Sequence, residues 1–462
     1  MCCRFTLLFA PLVLLAGCAT PPEPDPYYTE TAYHVQWAAG SVETDEPATL
    51  PLEAEMQGPH PLDFYVQIAL ERNPEILAAQ RGVAAQAEVT PQVTALDDPI
   101  LVDTVQPFDN HSVQTAAGRG PNTLTLTQSF PWFGKLRVRG EVAEQETRIS
   151  LTRLAQAQLK VIEDVNLAYY EVLFNQLAIE ITEENRELLK ILLGYAVARL
   201  RTGASQQDAL RAQVELAKLE DRLIRLRRQL RQTQADLAKV LHASPEADLK
   251  AAELNLPSAP EQIDRLYEAA VRCRPELHER LHAIIRNQRV QELAILRFYP
   301  DVTLGVGWQT ITTDNALAGV ANGNDNVAFT VGVNLPIWRD KLRAGVSEAE
   351  HRVVESARYY DATRDDTFRL IKRLMVQTRA LEEQIRLFRE SIIPKAEQTL
   401  NVSMADYRVG KVDFLQLIDN WTELLDFQIQ LARLESSLGQ TLASLERVVG
   451  CELAALPDEE PH

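Results

Sequence analysis

Glycine is scarce in this sequence, with 19 glycines among 462 residues. Because each glycine weakens a helix by about 1 kcal/mol relative to alanine, this scarcity favours long uninterrupted helices. Positive charge is outnumbered, with 47 Lys and Arg against 65 Asp and Glu, and the net charge of −18 argues against binding to a nucleic-acid backbone. The sequence contains no phosphate-binding glycine loop, no Cys-x-x-Cys pair and no Ser/His/Asp arrangement. A nucleotide-driven or nucleophilic enzyme therefore has no support, and we expect no cofactor and no bound metal.

Long apolar runs are also rare, and the run at the amino terminus, residues 5–15, is too short to span a bilayer. It follows Arg4 and ends in Leu15-Ala-Gly-Cys18, which resembles a bacterial lipobox. This pattern predicts a signal peptide over residues 1–17 and lipidation of Cys18. By the sorting rule of such lipoproteins, Ala19 in place of aspartate predicts an outer-membrane destination. The acyl chains would anchor the chain end.

Cysteine is limited to five residues, of which Cys2 and Cys3 would leave with the signal peptide and Cys18 would carry lipid. Cys273 and Cys451 remain, both near ends of helical stretches. An oxidising compartment permits a bridge between them. Two free thiols are the expectation from the sequence, and a disulfide is the alternative.

What the sequence does contain is a duplication. Thr123-Leu-Thr-Leu-Thr-Gln-Ser-Phe-Pro-Trp-Phe-Gly-Lys-Leu-Arg137 changes from an alternating pattern to a helical one across Pro131 and Trp132. Ala328-Phe-Thr-Val-Gly-Val-Asn-Leu-Pro-Ile-Trp-Arg-Asp-Lys-Leu-Arg343 repeats the change across Pro336 and Trp338. Both stretches are predicted strand-to-helix junctions. The number of residues between Pro131 and Pro336 is nearly the same as that between Pro74 and Pro275, which indicates a tandem repeat.

Each copy is predicted to contain a helix, two strands, a long helix, a tight turn and a returning helix. The first helix is expected over 62–89 and the strands over 99–105 and 123–130. The long helix is expected over 135–201, and the returning helix follows Gly203 and ends at about 242. In the second copy the strands are expected over 301–309 and 327–335, with a long helix from Lys341. The returning helices carry matching apolar residues at alternating spacings of three and four, which predicts coiled-coil seams: Leu216, Leu219, Leu223, Leu226, Leu230, Thr233, Leu237 and Val240 in the first, and Leu431, Leu434, Leu438, Thr441, Leu445 and Val448 in the second.

This order predicts a lipidated tether over residues 18–60, a first repeat over 61–260, a second repeat over 261–450 and a tail over 451–462. The strands alternate between an apolar face and a polar or small face, as membrane β-strands do. Four strands cannot close a barrel, and an open edge is not tolerated in lipid. If these strands lie in a membrane, several chains must share one barrel.

The chain resembles the TolC family of outer-membrane efflux ducts, and specifically its lipoprotein branch. The resemblance spans about residues 60 to 450 and rests on four motifs: Ser129-Phe-Pro-Trp-Phe-Gly-Lys-Leu-Arg137, Asn334-Leu-Pro-Ile-Trp-Arg339, Arg201-Thr-Gly-Ala-Ser-Gln-Gln-Asp208 and Tyr407-Arg-Val-Gly410. It implies a mainly α fold with membrane β-structure, in which a homotrimer forms a 12-stranded barrel above a periplasmic tunnel of coiled-coil helices. It also implies work with a periplasmic adaptor and an inner-membrane pump, for which a proton-driven metal exporter is our first expectation.

The same resemblance assigns roles at the helical tips, whose turns contain Gly203 and Gly410. Family positions that constrict the tunnel fall on Gln416 and Asp419. Bonds that tie the tips shut map onto Asp208 and Tyr407. A family arginine of this closing network would fall at Val412, so part of the network is absent here.

Two alternatives remain. His278-Glu-Arg-Leu-His282 fits the zinc-peptidase pattern, in which two histidines bind zinc and Glu279 acts as base. No specific third ligand accompanies it, and the first copy has Leu77, Ala78 and Arg81 at these positions, which favours a chance match on a structural helix. A coiled-coil lipoprotein that spaces the envelope without transport is the other alternative. Such a spacer would not need amphipathic strands.

Overall fold

The computed structural model describes residues 50–106, 112–201, 203, 205–252, 256, 262–314, 316–317 and 319–451, with a few positions between 25 and 39. Cys18, the predicted signal peptide and residues 452–462 lie outside this part of the chain. Residues from Leu52 onward form one compact unit, which is the unit described below.

The first copy begins with three helices, so the single helix predicted over 62–89 is wrong. They are α1 (Leu62–Arg72), α2 (Pro74–Ala87) and α3 (Val89–Thr94). Pro74 disfavours helical backbone at the residue before it, and Asn73 is extended with ψ 124°. The Asn73 side chain then accepts a hydrogen bond from the Glu75 N–H at 2.9 Å and caps α2.

Long helices make up most of the remaining chain, as the scarcity of glycine predicts. In the first copy α4 (Lys135–Leu200) is a single helix of 66 residues, and α5 (Gln206–Val240) returns along it. In the second copy the elements are α6 (Ile263–Cys273), α7 (Pro275–Leu296), α8 (Arg339–Leu387), α9 (Ile393–Val409) and α10 (Phe414–Val449). A π-helical turn, Phe388–Ile392, joins α8 to α9, and Pro394 is the second residue of α9, where its missing N–H would break a regular helix.

One antiparallel sheet combines strands from both copies. Its members are β2 (Ile100–Val105), β3 (Val113–Thr115), β4 (Gly118–Phe130), β6 (Val302–Thr312) and β7 (Asn326–Val333). The main order is β2-β4-β6-β7, with the short β3 paired to β4 beside β2. A small parallel pair, β1 (Gly58–His60) and β5 (Leu249–Ala251), was not expected from the sequence.

The sheet presents one apolar face that is open to the surroundings. Leu124 lies opposite Trp308, and Leu126 opposite Val306. Phe329 continues this face on β7 and is 82% exposed. The opposite face carries threonines and glycines, for example Thr127 beside Gly305. A soluble protein would bury such a face, so its exposure indicates a surface that meets lipid or another chain.

The helices pack as α5, α4, α10 and α8 in that lateral order. Leu219, Leu223 and Leu237 of the first seam are buried, and Leu438 and Leu445 of the second are buried. Thr233 and Thr441 are buried with them, so both predicted seams lie on packed faces of their helices. Within the described residues, no helix is both long enough and apolar enough to cross a membrane.

Candidate functional site

The two helical hairpins end in turns that a glycine makes possible. Gly203 lies between α4 and α5 with φ +98°, and Gly410 lies between α9 and α10 with φ +80°. Side chains with a Cβ rarely adopt this backbone conformation. Ser205 caps α5, and Asp413 caps α10 by accepting a hydrogen bond from the Gln416 N–H at 2.8 Å. Both returning helices therefore begin at a capping residue.

A hydrogen bond joins the two tips within one chain. Tyr407 is completely buried at the end of α9, and its hydroxyl donates to Asp208 Oδ2 at 2.9 Å. Asp208 lies in the first turn of α5, where the helix dipole favours a carboxylate. Burial and this hydrogen bond raise the pKa of Tyr407 to about 12, so its proton is retained at neutral pH.

Three further side chains, Arg199, Tyr195 and Arg408, form contacts at the same tips, and no sequence pattern pointed to them. The Arg199 guanidinium lies 4.6 Å from the centre of the Tyr407 ring. Arg408 lies 4.1 Å from the centre of the Tyr195 ring and also donates a hydrogen bond to its hydroxyl. Such cation–π contacts contribute about 0.5–2 kcal/mol each. Position 412 carries valine rather than arginine, but Arg199 of α4 and Arg408 of α9 lie at the same tips.

An apolar cluster fixes the tips behind these polar contacts. It combines side chains of both copies: Leu189, Leu192, Ala196, Ala209, Ala212, Leu219, Leu400, Tyr407, Phe414, Leu417, Ile418, Trp421, Leu424 and Leu425. The Tyr407 and Phe414 rings are 5.4 Å apart. Separating the tips would expose this cluster to water, so its burial favours keeping the two hairpins together.

An acidic stripe follows one exposed face of α10. Gln416, Asp419, Glu423 and Asp426 are all exposed, and their spacing of three, four and three residues keeps them on one side of the helix. Asp426 forms an ion pair with Arg222 of α5 at 3.1 Å. The resemblance pointed to Gln416 and Asp419 alone; helical spacing from Asp419 would have found Glu423 and Asp426.

The two strand-to-helix junctions differ in packing. At the first, Lys135 is buried and forms an ion pair of 2.7 Å with Asp301, which precedes β6. Asp301 also accepts the Trp132 N–H at 2.7 Å, and Trp132 stacks on Tyr299. Pro131 has no donor to lose between strand and helix.

At the second junction, which contains Pro336, the aromatic side chain of Trp338 is 73% exposed. Arg339 N–H hydrogen bonds to the Ile337 carbonyl at 2.9 Å, and α8 begins at Arg339 rather than at the predicted Lys341. Aromatic side chains favour the interface between lipid and water. Both junctions lie where strands give way to helices, and the first also joins the two copies.

Comparison with known proteins identifies the architecture. The model of the outer membrane efflux protein family matches residues 65–242 and 266–451, which is most of the chain in two segments. The chain belongs to this family. Its function as an outer-membrane efflux channel, and the TolC-like fold expected from the sequence, are thereby confirmed.

Among curated relatives, the cobalt-zinc-cadmium resistance protein CzcC of Cupriavidus metallidurans is 22% identical over 404 residues, covering 86% of this chain and 91% of that protein. The nodulation protein T of Rhizobium leguminosarum bv. trifolii is 22% identical and covers 97% of both chains. The crystal structure of VceC from Vibrio cholerae has a TM-score of 0.70 at 20% identity, covering 84% of this chain and 96% of that one. A CusC crystal structure has a TM-score of 0.70 at 17% identity, covering 89% and 99%.

In this outer membrane efflux protein the histidine motif of α7 is occupied by structural contacts. His278 Nε2 is 2.7 Å from the Arg272 carbonyl, and His282 Nδ1 is 3.0 Å from Gln145 Oε1. Glu279 accepts hydrogen bonds from Arg153 and Gln156 of α4. Burial, followed by the nearby Arg148 and His278, lowers the pKa of His282. The motif thus helps to hold α7 against α4, and the family is one of efflux channels rather than enzymes.

Clusters of potential metal ligands are also absent from the part of the chain that the structure describes. No cluster of three or more His, Cys, Asp or Glu side chains there could hold a metal ion.

Proposed function

We propose that this protein is the exit duct of a tripartite efflux system. In this proposal the duct receives its cargo from a periplasmic adaptor and a proton-driven inner-membrane pump. Lipid on Cys18 anchors it in the outer membrane, and the amphipathic strands cross that membrane. The observation that carries the proposal is the bond between the two tips, in which the buried Tyr407 of one hairpin donates to Asp208 of the other. A rigid spacer has no need of a polar bond that two separable hairpins share.

The duct is proposed to be a homotrimer. The outer strands β2 and β7 run in opposite directions in one sheet, so β7 of one chain can pair antiparallel with β2 of the next. The outer helices offer apolar side chains at the same two flanks. On α5, Leu210, Val214 and Ile224 are exposed, and on α8 and α9, Val376, Leu387 and Val402 are exposed. Three copies would give the twelve strands that the family resemblance implies.

The cargo is proposed to be metal cations. Two relatives are named for this role, the cobalt-zinc-cadmium resistance protein and the cation efflux system protein CusC of Escherichia coli K12, which is 20% identical over 306 residues and matches 64% of this chain and 65% of its own. Facing the lumen, Asp419 and Glu423 would raise the local cation concentration. Organic solutes and drugs are the second candidate cargo.

Ion selectivity tests the cargo proposal. Asp419→Asn combined with Glu423→Gln should shift the reversal potential under a salt gradient toward the value of a nonselective pore. Glu220→Gln, which removes an exposed carboxylate of α5, is the control. Unchanged selectivity in the double variant would exclude the stripe as the cation-attracting element.

Single-channel current in planar bilayers tests the gate. Tyr407→Phe removes the hydroxyl that Asp208 accepts while it keeps the ring, so the conductance should rise. Tyr170→Phe is the matched control, since Tyr170 is equally buried but belongs to a different apolar cluster. If trimeric preparations of the wild type and of Tyr407→Phe both carry no current, the structural spacer is favoured over the duct.

A further inference from the structure

The carboxyl end of α10 lies directly against the bend between α6 and α7. Gly450 follows α10 with φ +88°, a conformation that turns the chain back toward this bend. The approach is close: a Cβ on Gly450 would lie 2.7 Å from the Arg274 Cα and 2.9 Å from the Cys273 carbonyl carbon. Cys451 is therefore delivered to the backbone that carries Cys273.

The two thiols lie together at the edge of an apolar cluster. Both cysteines are half-buried, and Cys451 packs against the cluster that contains Leu266, Ala270 and Val449. Burial, and then a hydrogen bond with the Cys273 thiol, raise the pKa of Cys451 to about 12. Together with the close approach of Gly450 to the Cys273 backbone, this places the two thiols near each other.

The first copy contains an equivalent bend, and its contacts can be compared with those of the second. Relative to Pro74 and Pro275, Asn73 corresponds to Arg274, and the bend between α1 and α2 corresponds to that between α6 and α7. The Asn73 amide donates to the Val240 carbonyl at 2.8 Å and so ties this bend to the end of α5. His242, with φ +51°, corresponds to Gly450.

The second copy does not use the same tie. Arg274 occupies the place of Asn73, and its Nε donates to Glu276 of its own helix at 3.2 Å. Instead, two cysteines stand beside these positions. Cys451 follows Gly450 after the end of α10, and Cys273 precedes Arg274 at the bend. Their first-copy counterparts, Arg72 and Ala243, have no thiols.

We propose that Cys273 and Cys451 form a disulfide in the exported protein, which ties the end of α10 to the bend before α7. The oxidant is a protein disulfide of the export compartment. One cysteine thiolate attacks a sulfur of that disulfide, and the oxidant's other sulfur leaves as a thiolate. The second cysteine of this chain then attacks the mixed disulfide and expels the oxidant's remaining thiolate. Two thiols lose two protons and two electrons, and the oxidant becomes a dithiol.

Mass spectrometry of the full chain tests the bond. Protein is purified from outer membranes without reductant, alkylated while denatured and digested with trypsin. A single species that links the Cys273 and Cys451 peptides, and separates into two alkylatable peptides after reduction, is expected. Recovery of both peptides alkylated without reduction would overturn the proposal.

Thermal unfolding tests whether the bond acts as a tie. Reductant should lower the unfolding midpoint of the wild-type protein, because it releases the long segment between residues 273 and 451. Cys273→Ser should have a lowered midpoint that reductant does not change further. Asn73→Ala is the control: its midpoint should be lower than that of the wild type, and reductant should lower it further by a similar amount. If the wild-type protein contains the disulfide but reductant does not change its unfolding midpoint, the disulfide has no stabilising role.

Discussion

Tyr407 shows how one residue can hold two hairpins together. Its ring is completely buried, and a buried phenol without a partner would be costly. Asp208 from the other copy supplies the acceptor, while Arg199 covers the ring. In the proposed gate, the atoms that hold the two tips together must separate when the duct opens, so conditions that weaken this bond should favour opening.

Alkaline pH is one such condition. The pKa of Tyr407 is about 12 in the closed tip and near its ordinary value of 10 once the ring is exposed. The stabilisation is complete below pH 10 and is lost as pH rises toward 12, because the open form releases its proton first. Single-channel conductance should therefore rise across this interval. Tyr407→Phe should lack the step; an identical step in that variant would assign the transition to other groups.

Lys135 gives a second test at the residue scale. Its side chain is 7% exposed and neutralises Asp301 at the junction of the two copies. Lys135→Met should lower the free energy of unfolding by about 1–3 kcal/mol, since a hydrogen bond between charged groups is lost. Lys341→Met, at the exposed equivalent position of the second copy, should change it little. Equal effects in thermal unfolding would contradict a special role for the first junction.

At the scale of elements, the contact between α4 and α10 depends on a helical glycine. A Cβ on Gly439 would lie 2.5 Å from the Tyr170 Cζ, and the Ser436 hydroxyl donates to the Tyr170 carbonyl at 2.8 Å. The two copies are therefore joined where one helix lets the other approach closely. In α4 itself, Gly194 has open space around it.

These two glycines should respond to alanine with opposite signs. Gly439→Ala should destabilise the protein by about 1–3 kcal/mol, because the added methyl forces the helices apart. Gly194→Ala should stabilise it by about 0.5–1 kcal/mol through helix propensity alone. Denaturant unfolding of the two variants measures both. A neutral Gly439→Ala would mean that Tyr170 moves aside freely.

For the whole molecule, the exposed apolar side chains on the outer helices of one chain are the feature that needs a partner chain. Replacing Leu210 and Val214, both more than half exposed on α5, with aspartate should prevent trimer formation while the chain remains helical. Leu317→Asp, in the loop between β6 and β7 and 79% exposed, is the control. Native mass spectrometry in detergent reports the outcome. A trimer that survives the double change would place the helical interface elsewhere.

Much of this architecture could be predicted from the sequence because it depends on periodic patterns. The alternation through β4 and β7 and the leucine seams of α5 and α10 gave the element types, and the repeat gave their order. The break at Asn73 was missed although Pro74 signalled it. The β1–β5 pair was missed because strands of three residues have no period to detect.

The contacts between distant residues were decided by tertiary structure. Local pattern and duplication are properties of neighbouring residues, so the sequence by itself determined the helices, strands, junctions and turn glycines. The burial of Lys135 against Asp301, the cover of Arg199 over Tyr407 and the meeting of Cys273 with Cys451 each join segments far apart in the chain. No spacing rule encodes such pairs, because they exist only after the two copies have packed together.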